Sequence, residues 1–368
     1  MGYVLTEEQR LLKDSAKDIY KAAPVATVRE LRDNKDANGY SQELWNSIVE
    51  SGWLGLAVTE SNGGLGFGLR GVAVTMEEAG KSLSASPLHS VVTSSSVIEK
   101  YGSDDQKSLL ENIVMDGKII ALGIQEGAFY NPQSPGSTIS NNGTTLSGSK
   151  DMVADAHTAD HLIVSAMDGD ELSFYLVSAD TEGVSIEKEF FMDSRFYSKV
   201  QLSNVSVSSG MKLGKSGEGK HIADHITNVA SVLIANELVG LMSEAFERTL
   251  AYLKERKQFG VTIGSFQGLQ HRAADTYGEI EIAKSLAAKA CMALESGDVS
   301  AAALCSAAKA KCAKVSRVVT NEGVQMFGGI GMTDDEEIGF FMKRARVAAQ
   351  LFGSYSFHVD RFATINGY

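Results

Sequence analysis

The 368-residue chain reads as an α+β protein in three parts, helical, then strand-rich, then helical again. Three observations carry that reading. Up to about residue 116, apolar side chains recur at three- and four-residue spacing. From about residue 118 to 212, short strand-like runs alternate with turn pairs and have no helices between them, which points to an antiparallel sheet or barrel. Beyond Gly219 helical periodicity returns in long proline-free segments, whose small side chains suit close packing in a bundle.

Thr6, followed by Glu7 and Glu8, caps the first helix, and Leu11, Leu12, Ala16 and Ile19 mark its apolar face. Segments 43–50 and 72–79 are further amphipathic helices. Between them, Gly55-Leu56-Ala57-Val58 and Ser61-Asn62-Gly63-Gly64 form a loop with special backbone demands. Ser103-Asp104-Asp105-Gln106 opens another helix with capping-box chemistry. Strands are expected at 119–124, 144–146, 161–166, 172–177 and 199–202, with turns at Asn141-Asn142-Gly143 and Asp168-Gly169. Ile234, Leu238, Met242, Phe246 and Leu250 step by four and give one apolar stripe on a helix ending near Arg256. Two more long helices cover 273–294 and 301–327, separated by a short break at Gly297-Asp298.

Composition narrows the function classes. With 34 Lys+Arg against 46 Asp+Glu the net charge is −12, which argues against a nucleic-acid or anionic-membrane surface. The first twenty residues spread acids and lysines without the apolar core of a secretory signal. No run approaches the length needed to cross a bilayer, so the cytoplasm is the expected compartment. Cys291, Cys305 and Cys312 have no accompanying His/Cys ligand set, and are expected to be buried free thiols rather than metal ligands.

Two segments stand out. Arg256-Lys257-Gln258-Phe259-Gly260, continuing through Ile263-Gly264-Ser265-Phe266-Gln267, ends one long helix and opens the next. An arginine and free helix N–H groups there suit a phosphate; a helix–helix elbow with a solvated arginine is the plainer reading. Gln325-Met326-Phe327-Gly328-Gly329-Ile330-Gly331 follows a long helix. Its glycines serve as a helix cap, or let a cofactor approach the backbone. The spacing is not the dinucleotide fingerprint, because no strand precedes it.

In order and separation, the two segments resemble the C-terminal domain of the acyl-CoA dehydrogenases. Gly55 through Gly66, Met76-Glu77-Glu78-Ala79-Gly80 and Tyr101-Gly102-Ser103 resemble that family's N-terminal part. Its small-subunit branch, found in pimeloyl-CoA and steroid side-chain dehydrogenases, is the nearest. The resemblance implies an N-terminal helical domain (1–117), a middle antiparallel β-barrel (118–212) and a C-terminal four-helix bundle (213–368). It also implies FAD, an acyl-CoA substrate and electron-transfer flavoprotein as acceptor. The family's carboxylate removes the α-proton while the β-hydride passes to the flavin. Arg256 and Gln267 then match contacts to the pyrophosphate of a neighbouring subunit's FAD, Phe259 and Phe266 aromatics beside it, and Gln325, Gly328 and Gly329 the segment receiving its adenosine end.

The other half of the family's site is absent. Its Thr-Glu-Pro stretch reads Ile124-Gln125-Glu126-Gly127 here, and Met152-Val153-Ala154 replaces its Trp-Ile-Thr. The two usual positions of the catalytic glutamate are Phe352 and Ala230, with Ser231 where an arginine is common; neither Phe nor Ala takes a proton. Glu237 and Asp224 are left as displaced bases or as plain solvated carboxylates. Residues reaching into a neighbour's flavin are kept while those serving the chain's own are lost. This pattern implies a larger partner subunit, in an α2β2 heterotetramer. A self-sufficient homo-oligomer and a non-catalytic acyl-CoA-binding protein are the alternatives.

Overall fold

The computed structural model describes residues 5–140 and 143–368; the turn expected at Asn141-Asn142 lies outside them. In chain order the helices and strands are α1 (Glu7–Lys21), α2 (Ala26–Asp33), α3 (Gln42–Glu50), α4 (Leu69–Ser82), α5 (Leu88–Tyr101), α6 (Asp104–Lys107), α7 (Leu109–Asp116), β1 (Ile120–Gly123), β2 (Thr138–Ser140), β3 (Thr145–Ala154), β4 (His161–Asp168), β5 (Glu171–Ser178), β6 (Val184–Phe190), β7 (Phe196–Ser206) and β8 (Lys212–Leu213). There follow α8 (Gly219–Glu255), β9 (Lys257–Gln258), β10 (Val261–Thr262), α9 (Gln267–Ser296), α10 (Ala301–Phe327), α11 (Ile338–Ala348) and α12 (Tyr355–Ile365). The expected order of helices, sheet and helices is met. Capping boxes form at Thr6 with Gln9 and at Ser103 with Gln106, so both starts follow the local chemistry.

These elements pack as two compact units. One comprises Met1–Glu30, Ala73–Ser84 and Ser231–Tyr368; the other comprises Leu31–Val72 and Ala85–Ala230. The second holds a sheet in the order β6-β7-β3-β2-β4-β5-β8, with β1 beside β4. Most neighbours are antiparallel, but β1 and β2 both run parallel to β4, so the sheet is mixed rather than antiparallel throughout. Leu146, Val164, Val177 and Val200 lie in its core, and Ser94 on α5 donates to the Ile120 carbonyl of β1 at 3.0 Å. The pairing of β3 with β7 slips between Lys150 and Val153, and Met152 in that slip has φ 51°. It is a bulge that interrupts the ladder between the two strands.

The first unit is all helical apart from one small hairpin. Residues 226–242 of α8 are buried without exception, so the single apolar stripe expected there is instead a helix enclosed on every side. This helix is also long and apolar enough to cross a membrane, contrary to expectation, but 89% of its most apolar window lies inside the protein. Within the first unit α4 crosses α8 at two glycines. A Cβ at Gly80 would collide with the Glu237 carbonyl, and one at Gly240 with the Glu77 carbonyl. The backbones touch there, which gives Met76 to Gly80 a packing role. α10 packs against α9, α11 and α12. The three cysteines are buried thiols outside any disulfide, as expected; burial pushes the Cys305 and Cys312 thiols up to about 12, which leaves them inert.

Candidate functional site

The two segments singled out in the sequence meet at one end of the helical unit. α8 stops at Glu255, where the Arg256 N–H still donates to the Tyr252 carbonyl at 2.9 Å. The Arg256 carbonyl accepts from Ile263 N at 2.8 Å and closes the β9–β10 hairpin. Its two turn residues, Phe259 and Gly260, have φ of 56° and 83°, the positive values that a two-residue type I′ turn requires. For a phenylalanine that conformation costs about 1–3 kcal/mol. The Phe259 ring is nevertheless 92% exposed and touches Phe266 edge-on, with 6.3 Å between centroids. The ring is thus both strained at its backbone and open to solvent.

Phe266 precedes α9 as its N-cap without a side-chain hydrogen bond to the first turn. The opening N–H groups beside exposed Gln267 therefore lack a side-chain cap, an arrangement that favours an anion. On the other side, α10 ends at Phe327 beside exposed Gln325. Gly328 follows at φ 70° and ψ −144°, a conformation closed to other residues. No atom lies within 4 Å of a Cβ built at Gly328 or Gly329, so this backbone is open on its outer side. Tyr252 stacks on Phe327 at 4.2 Å and 14°, and its hydroxyl donates to the Phe327 carbonyl at 3.3 Å. That stack joins the ends of α8 and α10 and brings Arg256, Phe259, Phe266 and Gln267 to the same end as Gln325, Gly328 and Gly329.

The remaining candidates lie elsewhere. In the sheet-bearing unit Glu126 accepts from Ser137 N and Oγ at 3.1 and 2.6 Å and pairs with the fully buried Lys150. Lys150 also donates to Ser165 Oγ at 3.0 Å. Burial alone would raise the Glu126 carboxyl, yet its bonds to Lys150 and Ser137 hold it below the usual range. It is a structural carboxylate. Gln125 Nε2 lies 3.5 Å from the Met152 sulfur, and residues 152–154 offer no side-chain donor. Ala230 is wholly buried, with its carbonyl 3.2 Å from His89 Nε2.

In the helical unit Phe352 has φ 53° and is partly buried. Glu237 is held bidentately by Arg344 at 2.7 and 2.8 Å, with both side chains almost wholly buried. That pair engages both oxygens of the carboxylate within the core. Its partner, 107 residues away, gave no signal in the sequence. Asp224 lies half-buried on α8 and adds to the burial that raises the Tyr101 phenol.

Residues 6–115 match the family model described as the acyl-CoA dehydrogenase N-terminal domain, and residues 217–364 match that of the C-terminal domain. The chain belongs to the acyl-CoA dehydrogenase family. Acyl-CoA dehydrogenase IpdE2 of Mycolicibacterium smegmatis is 29% identical, covering 95% of this chain and 96% of that protein. A variant of the Tcur3481-Tcur3483 steroid ACAD superposes with TM-score 0.89 at 28% identity, over 98% of each chain. Butyryl-CoA dehydrogenase of Megasphaera elsdenii superposes with TM-score 0.89 at 25% identity, over 99% of each.

Acyl-CoA dehydrogenases carry out FAD-dependent dehydrogenation, and membership brings FAD with it as the cofactor. The residues present fit one part of that group. The uncapped α9 start, Arg256 and the open Gly328-Gly329 backbone suit a pyrophosphate and its nucleoside. The bulge at Met152 to Ala154 supplies apolar surface and no side-chain donor for a flavin ring.

Proposed function

We propose that this acyl-CoA dehydrogenase is the flavin-sharing subunit of a hetero-oligomer, in which a larger sister chain supplies the flavin-ring pocket and the base. The observation that carries the reading is Phe259, which is strained, exposed and set among Arg256, Gln267 and the open Gly328-Gly329 backbone. The two usual base positions hold Phe352 and Ala230, and Glu237 is committed to Arg344. The Tcur3481-Tcur3483 steroid ACAD, whose name joins two designations, supports the reading.

When bound, FAD accepts the hydride from the β-carbon of the acyl thioester. This chain's part would be to bind and orient: Arg256 would hold the phosphates with its planar guanidinium, the α9 N-terminus would add N–H donors, and Phe259 would help exclude water. The α-proton passes to a carboxylate of the sister chain, and electron-transfer flavoprotein reoxidises the complex.

Purification of the chain alone and with a co-expressed sister dehydrogenase tests the proposal. A colourless protein alone, turning yellow and active as an α2β2 complex, is expected. A yellow homo-oligomer that bleaches with an acyl-CoA would point instead to a self-sufficient enzyme using Asp224. A complex that binds acyl-CoA without flavin would mark a non-catalytic stabiliser. In the complex, Arg256→Ala is expected to weaken FAD binding about tenfold to a hundredfold, the worth of one charge-assisted bond. Unchanged affinity would remove Arg256 from the site.

A further inference from the structure

Helix α9 is covered on one side only. Ile280, Ala283, Ala287 and Cys291 are buried, and α10 packs against this helix. The opposite side is exposed along its length. Charges on the flank toward α10 are satisfied within the chain: Arg272 Nε donates to Glu322 at 2.7 Å, and Lys311 Nζ to Glu279 at 2.6 Å. The outer charges are not. Among the described residues, the exposed Asp275, Glu281, Lys284 and Lys289 make no ion pair. Lys289 adds only a minor pull on Asp298, whose carboxyl is held low chiefly by Ser300.

Gly278 stands in the middle of this outer face. A glycine inside a helix costs stability, and no atom lies within 4 Å of a Cβ built there. Gly80 and Gly240 have a packing reason within the chain; Gly278 has none. Ile282, one turn further on, is 54% exposed. The charges around Ile282 follow an order. Asp275 and Lys289 lie seven residues to either side, so they share its face and stand about 10 Å from it along the axis. Glu281 and Lys284 flank Ile282 on the adjoining strip. An antiparallel copy of the helix, related by a two-fold axis at Ile282, sets Asp275 against Lys289 and Glu281 against Lys284, each pair twice. A parallel copy would set every charge against its like.

We propose that the outer face of α9 is the seat of a second copy of this chain, packed antiparallel across a two-fold axis at Ile282. Gly278 lets the two helices approach closely, the Ile282 side chains meet on the axis, and the four charges complete one another across it. The contact goes beyond the flavin-sharing reading and does not rest on it. Gln267, where that reading places a cofactor contact, lies about two turns before Asp275 and outside the paired stretch.

Cross-linking of the full chain reads the contact directly. The three native thiols are buried, so Ile282→Cys is expected to give a disulfide between two copies on mild oxidation with diamide. Val299→Cys, fully exposed but beyond the paired stretch, is expected to give none. Sedimentation equilibrium supplies an independent measurement. Lys289→Asp should weaken self-association about tenfold, because two attractive pairs become repulsive. Asp275→Lys combined with Lys289→Asp should restore it, since the swap keeps every pair complementary. Equal cross-linking of the two cysteine variants, or self-association that ignores Lys289→Asp, overturns the proposal. So does an Ile282→Cys thiol that a sister chain shields from labelling without any bridge to its own copy, which would give the face to the sister.

Discussion

Glu237 and Arg344 form a buried pair whose worth lies mainly in not being broken. Removing one partner leaves the other charge without compensation in the core, so Glu237→Gln is expected to lower unfolding free energy by about 3–5 kcal/mol in a denaturant titration. Phe259 behaves in the opposite sense. Its left-handed turn position favours glycine or asparagine, so Phe259→Asn should stabilise the isolated chain by about 1 kcal/mol. The same change should weaken FAD retention in the complex, and a chain that is destabilised instead would show that the ring is held within this fold. Single residues were unevenly legible. Arg256 and Gln267 were singled out through the resemblance of their segment to the family, while Lys309 on an Ala-rich helix reads as a surface residue. A signal existed, because Cys305, Lys309, Cys312 and Ser316 share one face and all four are fully buried.

At the scale of elements, the α4–α8 crossing rests on backbone contact. Gly240→Val places a branched side chain against the Glu77 carbonyl and must push two helices apart. A loss of at least about 3 kcal/mol, the upper end for overpacked cores, is expected in thermal unfolding; a change below 1 kcal/mol would show that the crossing yields easily. Helices α9 and α10 were legible because they are proline-free, rich in good helix formers and separated by Gly297, which adopts φ 68° to end the first. β2, β6 and β8 were not. β2 has three residues and β8 has two, too few for a period, and β6 carries Glu187-Lys188-Glu189 on the outer edge of the sheet, where charge discourages pairing with other chains. The parallel pairing of β1 and β2 with β4 depends on contacts that no local pattern encodes.

For the molecule as a whole, acid is the exposed flank. Loss of solvent around the half-buried His225 and the fully buried His358 is the main reason their pKa values fall from 6.5 to about 4 and about 3. Between those limits the unfolded chain binds more protons at these two groups than the folded one, so their contribution to stability is full above about pH 6.5 and declines as pH falls. His225→Gln should flatten the upper part of that decline in unfolding midpoints recorded from pH 7 to pH 4; an unaltered slope would clear His225 of the role.

The helical unit is assembled from three stretches of chain, Met1–Glu30, Ala73–Ser84 and Ser231–Tyr368. The first emerges from the ribosome about two hundred residues before the C-terminal stretch begins to appear, which at typical synthesis rates is a wait of about 10–40 s. Through that interval α1 and α4 have only each other, through Lys13 and Glu77, whereas the residues of the sheet-bearing unit are complete once Ala230 has been made. Synthesis therefore favours the sheet-bearing unit folding first and the N-terminal helices waiting for the C-terminus. Truncation late in the chain would strand the beginning of the protein as well as its end.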